Sequence, residues 1–221
     1  IVGGAETHAR QICERLARLG YSIDVLTTCA TDYKTWKNEL HSGEHTSELS
    51  GVTIIRFPVV MERFKFFGLV DRVFRKTIQI LSRLPKTHSL IKSIEHLWIV
   101  LQGPYCPELK SYLNQNISQY SAVLAITYLY YPTHVAVEVA GQKAILIPTA
   151  HNEPAFHFRI VEQLLKRAPV ILPNTESEKK LIESKTGTMK PSQRISVTGL
   201  GFDLVSQETE NSPLAEPYIF Y

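Results

Sequence analysis

The sequence predicts an α/β fold: a Rossmann-like parallel sheet with helices on both faces. Short apolar runs rich in β-branched residues alternate with amphipathic helical stretches, the order found where crossover helices join parallel strands. One such run, Ala144–Ile147, is unbroken and bounded by Gly141 and Pro148, which is typical of a strand buried on both faces. The 221 residues are 44% hydrophobic and 20% charged, an ordinary globular composition that can fill the core of such a fold.

The first predicted helix extends from about Gly4 to Leu19, because its apolar residues recur at spacings of three and four. Gly20 ends this helix, and Tyr21–Thr28 is predicted as a strand. A helix, a glycine turn and a β-rich run form the second half of a βαβ unit. We therefore expect a first strand before Gly3.

A polar stretch from Cys29 to Ser50 is predicted as a long loop, and Val52–Phe57 as the strand after it. His41 and His45 stand four positions apart in this loop, but a metal site needs further ligands, so we expect a solvated loop. The three cysteines of the chain include no C-x-x-C pair, which favours a reducing compartment and argues against a zinc site. They are Cys13, Cys29 and Cys106.

A helix is predicted around Phe67–Leu81, where apolar residues recur on one face and basic residues surround them. Two interpretations stay open. The helix packs on the sheet and leaves a solvated basic face, or segment 63–83 lies on the anionic inner face of a membrane. No apolar run approaches the roughly 18 residues of a spanning helix, so any membrane contact is expected to be peripheral.

The second half of the chain is predicted to continue the alternation of helices and strands. Helices are expected at Thr87–Leu101, Pro107–Asn114, Pro132–Ala140, Ala155–Arg167 and after Thr175. Strands are expected at Ala122–Thr127, Ala144–Ile147, Pro169–Pro173 and Arg194–Thr198. Glu178 stands three residues after Thr175, the spacing of a capping box at a helix start.

Polar and aromatic side chains follow two of these strands, at the edge where open α/β sheets bind ligands. They are His151-Asn152-Glu153-Pro154 after one strand and Tyr128, Tyr130 and Tyr131 after the other. An imidazole, an amide and a carboxylate together suggest recognition of a hydroxyl-rich or phosphorylated ligand. Simpler interpretations stay open: His151 and Asn152 cap the next helix, and the tyrosines belong to the core instead of stacking on a sugar.

Several classes of function are disfavoured. The net charge of +3 and the pI near 8.7 are too mild to predict a nucleic-acid partner. The chain lacks a Gly-x-Gly-x-x-Gly motif, a P-loop and a Gly-x-Ser-x-Gly elbow. Gly3 and Gly4 still open a helix, where close backbone approach and free N–H groups suit an anion.

Several motifs occur in order along nearly the whole chain. They are Gly3-Gly4-Ala5-Glu6-x-His8 with the helix and strand after it, Gln102-Gly103-Pro104-Tyr105, Tyr128-Leu129-Tyr130, Pro148-Thr149-Ala150-His151, Asn174-Thr175-x-x-Glu178 and Gly199-Leu200-Gly201-Phe202-Asp203. The combination in this order is specific, and it resembles a family 4 glycosyltransferase.

The resemblance implies the GT-B architecture, in which two Rossmann-like domains face each other across a cleft. It also implies retaining transfer of a sugar from a nucleotide-sugar to a glycan or lipid-linked acceptor, without a required metal. Residues 1–205 would form the acceptor-side domain and residues 206–221 a linker into a nucleotide-binding domain absent from this chain. No cofactor is expected here beyond the nucleotide-sugar as donor substrate, and this chain alone is expected to be nearly inactive.

By the same resemblance, His151 is the expected catalytic residue and reaches the donor sugar, while Gly3 and Gly4 face the donor phosphates. Asn152 stands where the family often has Asp. The alternative is a non-catalytic module that binds a carbohydrate or a lipid head group. In either case we expect a cytoplasmic protein. Donor or substrate binding is assigned to Gly3, Gly4, Glu6, His8, Tyr128, Tyr130, Asn152, Glu153, Asn174 and Glu178.

Overall fold

The computed structural model describes residues 4–46, 51–187, 190–199 and 201. It shows the predicted α/β class, with parallel strands flanked by helices. Gly3 and residues 206–221 of the expected linker lie outside the described residues. The α-helices of the described residues are α1 (Gly4–Arg18), α2 (Phe67–Leu81), α3 (His88–Gln102), α4 (Pro107–Asn116), α5 (Tyr131–Ala140), α6 (Arg159–Arg167) and α7 (Glu176–Thr186).

The strands form two hydrogen-bonded sheets. In the first, β1 (Ile23–Thr28), β2 (Gly43–Thr46) and β3 (Val52–Phe57) pair in the order β1-β3-β2. In the second, β4 (Val123–Ile126), β5 (Ala144–Ile147), β6 (Val170–Ile171) and β7 (Arg194–Ile195) pair in chain order. Every pair is parallel except β2 with β3. The carboxyl ends of β4, β5 and β6 therefore meet at one edge.

The prediction of one long loop over Cys29–Ser50 is wrong in part, because the stretch contains β2. This strand pairs antiparallel with β3, with Gly43 opposite Arg56. Its sequence, Gly-Glu-His-Thr, lacks apolar alternation, so the pairing depends on backbone hydrogen bonds to the edge of β3 and leaves no periodic signal. Trp36, which lies in the same stretch, is buried, and its indole Nε1 donates to the carbonyl oxygen of Gln102 at 2.8 Å.

A cavity of about 350 Å³ lies between the edges of β1 and β4. Neither edge has a strand partner among the described residues. The apolar face of α1, including Ile12 and Leu16, lines this cavity. The Tyr120 hydroxyl links the segment before β4 to β1 by donating to Asp24 Oδ2 at 2.7 Å. The first strand expected before Gly3 falls outside the described residues.

The core lies mainly on the four-stranded sheet. Leu146 and Ile147 of β5 are at most 2% exposed. Helix α5 packs on this sheet, and buried side chains of α3, α5 and α6, such as Ile99, Val137 and Leu165, belong to the core cluster around it. By contrast, α1 contains no buried residue. Apolar burial stabilises a fold roughly in proportion to the area removed from water, so the second sheet carries most of the packing energy.

The helix predicted at Ala155–Arg167 is divided. A short 3-10 turn covers Pro154–His157, Phe158 is extended, and α6 begins only at Arg159. The reason lies on α3, where the buried Glu95 carboxylate accepts hydrogen bonds from the Arg159 N–H at 3.0 Å and the Ile160 N–H at 2.8 Å. Because the capping residue is distant in sequence, no local motif predicts where this helix begins.

Helix α2 packs on the core through its predicted apolar face. Phe67 is buried, and Phe74 and Ile78 contact the core cluster. This confirms that the face serves packing. In the described ranges no helix combines the length and the apolar character needed to cross a bilayer.

Candidate functional site

A cavity of about 820 Å³, called the strand-end cavity here, lies at the carboxyl ends of β4, β5 and β6. The start of α1 and the loops after these three strands form its walls. Glu6 does not line it, since its side chain is on the exposed part of α1, and Gly3 lies outside the described residues. The predicted site residues that line it together are Gly4, His8, Tyr128, Tyr130, His151, Asn152, Glu153, Asn174 and Glu178.

Two threonines at the rim of this cavity have unusual backbones. Thr127, just after β4, has φ 65°, and Thr149, just after β5, has φ 48°. A β-branched residue rarely adopts positive φ, and such strain costs of order 1–3 kcal/mol, so the surrounding structure must enforce it. The Thr127 N–H donates to the carbonyl oxygen of Ile147 at 2.9 Å, which ties the two strand ends together. No sequence pattern predicts the positive φ of these two threonines.

Tyr128 holds Glu153 in place. Its ring is 1% exposed and lies edge-to-face on Phe156, so it belongs to the core and has no face free for a sugar. Its hydroxyl donates to Glu153 Oε1 at 2.5 Å. Burial and this hydrogen bond raise the pKa of Tyr128, which keeps the hydroxyl protonated as the donor. This hydrogen bond fixes one carboxylate oxygen of Glu153, and Glu153 also lines the strand-end cavity.

Glu178 joins two loops of the site. Its carboxylate is nearly buried and accepts from the Ala150 N–H at 2.6 Å and from the Asn174 N–H at 2.7 Å. The predicted capping box is half present: Thr175 Oγ1 accepts from the Glu178 N–H at 3.1 Å, but the Glu178 side chain does not return to Thr175. Glu178 thus positions the loops after β5 and β6 against each other.

The capping interpretation of His151 and Asn152 is wrong. Glu153 precedes the 3-10 turn without a side-chain cap, and Asn152 Oδ1 instead forms a hydrogen bond with His157 Nε2 at 2.9 Å. The His151 imidazole is exposed in the cavity and makes no hydrogen bond within the described part of the chain. Both of its ring nitrogens are therefore available to a ligand.

Tyr130 connects the site to the polar stretch after β1. It is half-buried and lies edge-to-face on Trp36, with ring centroids 5.4 Å apart. Burial is the main cause that raises the pKa of Tyr130. Gly103 permits this arrangement, because a Cβ there would lie 2.8 Å from the Trp36 indole nitrogen. The Trp36 contact has no sequence signal, since the tryptophan stands alone among polar residues.

A second pocket of about 510 Å³ adjoins the strand-end cavity and shares Leu129 and Glu153 with it. Four cationic side chains line it. They come from the region before β2 and from α2 and the residues just before it, and no sequence motif predicted them at the site. They are Lys34, Arg63, Lys65 and Arg75.

Among the described side chains, no group of three or more His, Cys, Asp or Glu is arranged to hold a metal ion. The three cysteines are free thiols. Cys106 is fully buried, and this burial raises its pKa to about 12, so it is protonated at neutral pH. The site therefore offers hydrogen-bonding and ionic groups from His, Asn, Glu, Tyr and backbone N–H.

No protein-family model, curated protein sequence or solved structure matches the chain. The resemblance to family 4 glycosyltransferases thus remains a prediction from the motifs.

Proposed function

We propose that this chain is the acceptor-side domain of a retaining glycosyltransferase that moves a sugar from a nucleotide-sugar to a glycan or lipid-linked acceptor. The observation that supports the proposal most is the convergence of side chains from four chain segments on the strand-end cavity. They were assigned to one site from motifs far apart in sequence. A cavity of this size at the carboxyl edge of a parallel sheet is where α/β proteins bind ligands.

The donor phosphates lie, in this proposal, at the start of α1. This helix is 15 residues long, and its first residues, Gly4 and Ala5, line the strand-end cavity. Free N–H groups and the positive end of the helix dipole stabilise an anion there. A Cβ on Gly4 would meet nothing within 4 Å, so this glycine leaves open space for a bulky phosphate.

The sugar lies between the phosphates and the loop after β5. Sugar transfer passes through an oxocarbenium-like state with a departing phosphate, so groups that hold hydroxyls and the leaving phosphate accelerate it. The unengaged His151 imidazole suits a sugar hydroxyl, and the Glu153 carboxylate, fixed by Tyr128, suits a second one. The nucleotide itself is held mainly by a second domain that is not among the described residues.

The test is transfer by the full-length protein with His151→Ala, assayed against a panel of nucleotide-sugars. Removing one hydrogen bond made in the transition state is expected to lower kcat roughly 100-fold. His96→Ala is the matched control, because His96 is an exposed histidine on α3 away from the cavity. Unchanged turnover in His151→Ala would exclude the proposed role of this residue.

Calorimetry of residues 1–221 against free sugars separates the proposal from the non-catalytic alternative. A transferase domain without its nucleotide-binding partner holds a sugar weakly, since its cleft has one wall. Tight sugar binding by this chain alone, with no transfer by the full-length protein, would favour a carbohydrate-binding module.

We further propose that the protein works in the cytoplasm with segment 63–83 against the inner face of the membrane. The support is a second apolar row on α2 and its flanks, called the outer stripe, which points away from the core with each side chain more than half exposed. It consists of Phe66, Leu69, Val73, Ile80 and Leu84. Exposed basic residues adjoin the row, as anionic lipid requires. They are Lys65, Arg72, Lys76 and Arg83.

A further inference from the structure

The pocket beside the strand-end cavity, called the arginine pocket here, has an excess of positive charge. Its four cationic side chains face two carboxylates, those of Asp71 and Glu153. Aromatic walls come from Phe67 and Trp98, which are both buried in the core. Because low-dielectric walls strengthen electrostatic attraction, a pocket of this kind concentrates anions.

Arg63 is the central cation. Its guanidinium donates to the Tyr33 carbonyl oxygen at 2.8 Å and to Gln102 Oε1 at 2.7 Å, both of which are neutral acceptors. It also lies 4.3 Å above the centroid of the Phe67 ring. Its Nε is buried without a hydrogen-bond partner, and no carboxylate of the described residues forms a salt bridge with it. The charge is therefore fixed in position but not neutralised.

The nearby Asp71 carboxylate forms no salt bridge with Arg63 and is engaged by other groups. Asp71 Oδ2 pairs with Arg75 at 2.8 Å, and Asp71 Oδ1 accepts from Trp98 Nε1 at 3.0 Å. The buried Nε of Arg75 likewise has no partner among the described residues. Burying a partly unpaired cation costs free energy, and an anion bound beside it offsets that cost by compensating its charge.

We propose that the arginine pocket binds the phosphate of a phosphate-bearing acceptor. This inference rests on the proposed function and names the class of its acceptor. A guanidinium matches phosphate oxygens with parallel hydrogen bonds, which neutral sugars cannot supply. The shared wall at Leu129 and Glu153 places the acceptor's sugar end toward the strand-end cavity. Phe64 and Lys65 at the pocket face solvent and suit the remainder of an amphiphilic acceptor.

The test is calorimetric titration of the full-length protein with inorganic phosphate and with a water-soluble short-chain phosphatidic acid. Arg63→Gln is expected to weaken phosphate binding roughly 10- to 100-fold, because it removes charge-assisted hydrogen bonds. Since Arg63→Gln also removes contacts to Tyr33 and Gln102, Lys65→Gln is the second variant, with an exposed side chain and a smaller expected loss. Arg18→Gln is the matched control, an exposed arginine at the end of α1, outside the pocket and outside segment 63–83.

Loss in Arg63→Gln and Lys65→Gln with retention in Arg18→Gln supports the proposal. Tighter binding of the short-chain lipid than of inorganic phosphate identifies a lipid-borne acceptor, and equal binding identifies a soluble one. Equal phosphate affinity in all variants, or no phosphate binding by the wild-type protein, overturns it. These measurements need no donor, so a protein that binds phosphate here but transfers no sugar would refute the proposed function and leave the site standing.

Discussion

Glu178 joins the two loops on which the candidate site depends. Its two carboxylate oxygens each accept one backbone N–H, from Ala150 and from Asn174. Hydrogen bonds to a charged acceptor contribute about 1.5–3 kcal/mol each, and a buried carboxylate without them would be strongly destabilising. Glu178 therefore acts on any ligand through the position of these loops, and His151 and Glu153 are the side chains proposed to contact the ligand.

His134 contacts the backbone of Tyr128, which is a residue of the candidate site. The Tyr128 carbonyl oxygen can only accept, so His134 Nε2, 3.0 Å away, carries the proton and donates. Burial is the main cause that lowers the pKa of His134 to about 4, and the charges of His96 and Arg167 act in the same direction. The folded protein thus keeps this imidazole neutral under conditions where the unfolded chain would protonate it.

This depressed pKa predicts a pH-dependent stability. Between the ordinary value of 6.5 and about 4, the unfolded chain binds the proton and the folded protein does not, so the free energy of unfolding falls as the pH falls. Between pH 7 and pH 5 the expected loss is about 2 kcal/mol. Urea unfolding at both pH values measures it. The loss should shrink in His134→Gln and persist in His96→Gln; an equal loss in all three proteins would contradict the assignment.

The sequence predicts the helices and strands that have an apolar pattern within their own residues. The apolar periodicity of α1 and the unbroken run of β5 gave bounds that the structure reproduces to within about one residue. The sequence does not predict helices and strands whose bounds depend on contacts with residues far away in the chain. β2 has no apolar pattern and depends on the edge of β3, and the start of α6 depends on Glu95 of another helix.

The candidate site divides in the same way. His151, Asn152 and Glu153 could be predicted, because they directly follow a recognisable strand. The positive φ of Thr149 and the placement of Arg63 could not, since both arise from contacts between segments far apart in the chain. Sequence thus indicates which loops form the site, while tertiary contacts decide which side chains are free for a ligand.

The outer stripe of α2 predicts peripheral membrane binding. Flotation should show the protein bound to vesicles with 30% anionic phosphatidylglycerol, roughly tenfold less bound after Phe66→Ser, Leu69→Ser and Val73→Ser together, and less bound at high salt. Leu19→Ser with Leu40→Ser is the control, since these residues are also exposed but lie elsewhere. Concentration-dependent self-association without vesicle binding would instead identify a second copy as the partner.

The whole molecule consists of two unequal halves. The large core cluster lies mainly on the four-stranded sheet, with Ile55 and Phe57 of β3 at its border, whereas α1, which covers one side of the three-stranded sheet, has no buried residue. Between them lies the cavity of about 350 Å³ that separates β1 from β4. Few buried apolar contacts and open strand edges are the marks of a region that opens locally before global unfolding. The loops of the strand-end cavity belong mainly to the half with the larger core, while the start of α1 belongs to the other.

This asymmetry predicts that α1 and the three-stranded sheet unfold together before the rest. Native-state hydrogen exchange in low denaturant should give the amides of β3 a lower opening free energy and a smaller denaturant dependence than those of Leu146 and Ile147. Val52→Ala, a truncation on β3, should lower both opening free energies, because β3 unfolds in both openings, whereas Leu146→Ala should lower only that of β5, by about 2–5 kcal/mol. If β3 and β5 exchange with one common free energy in all proteins, the halves are a single cooperative unit, and α1 meets the strand-end cavity as a fixed wall instead of a separately opening one.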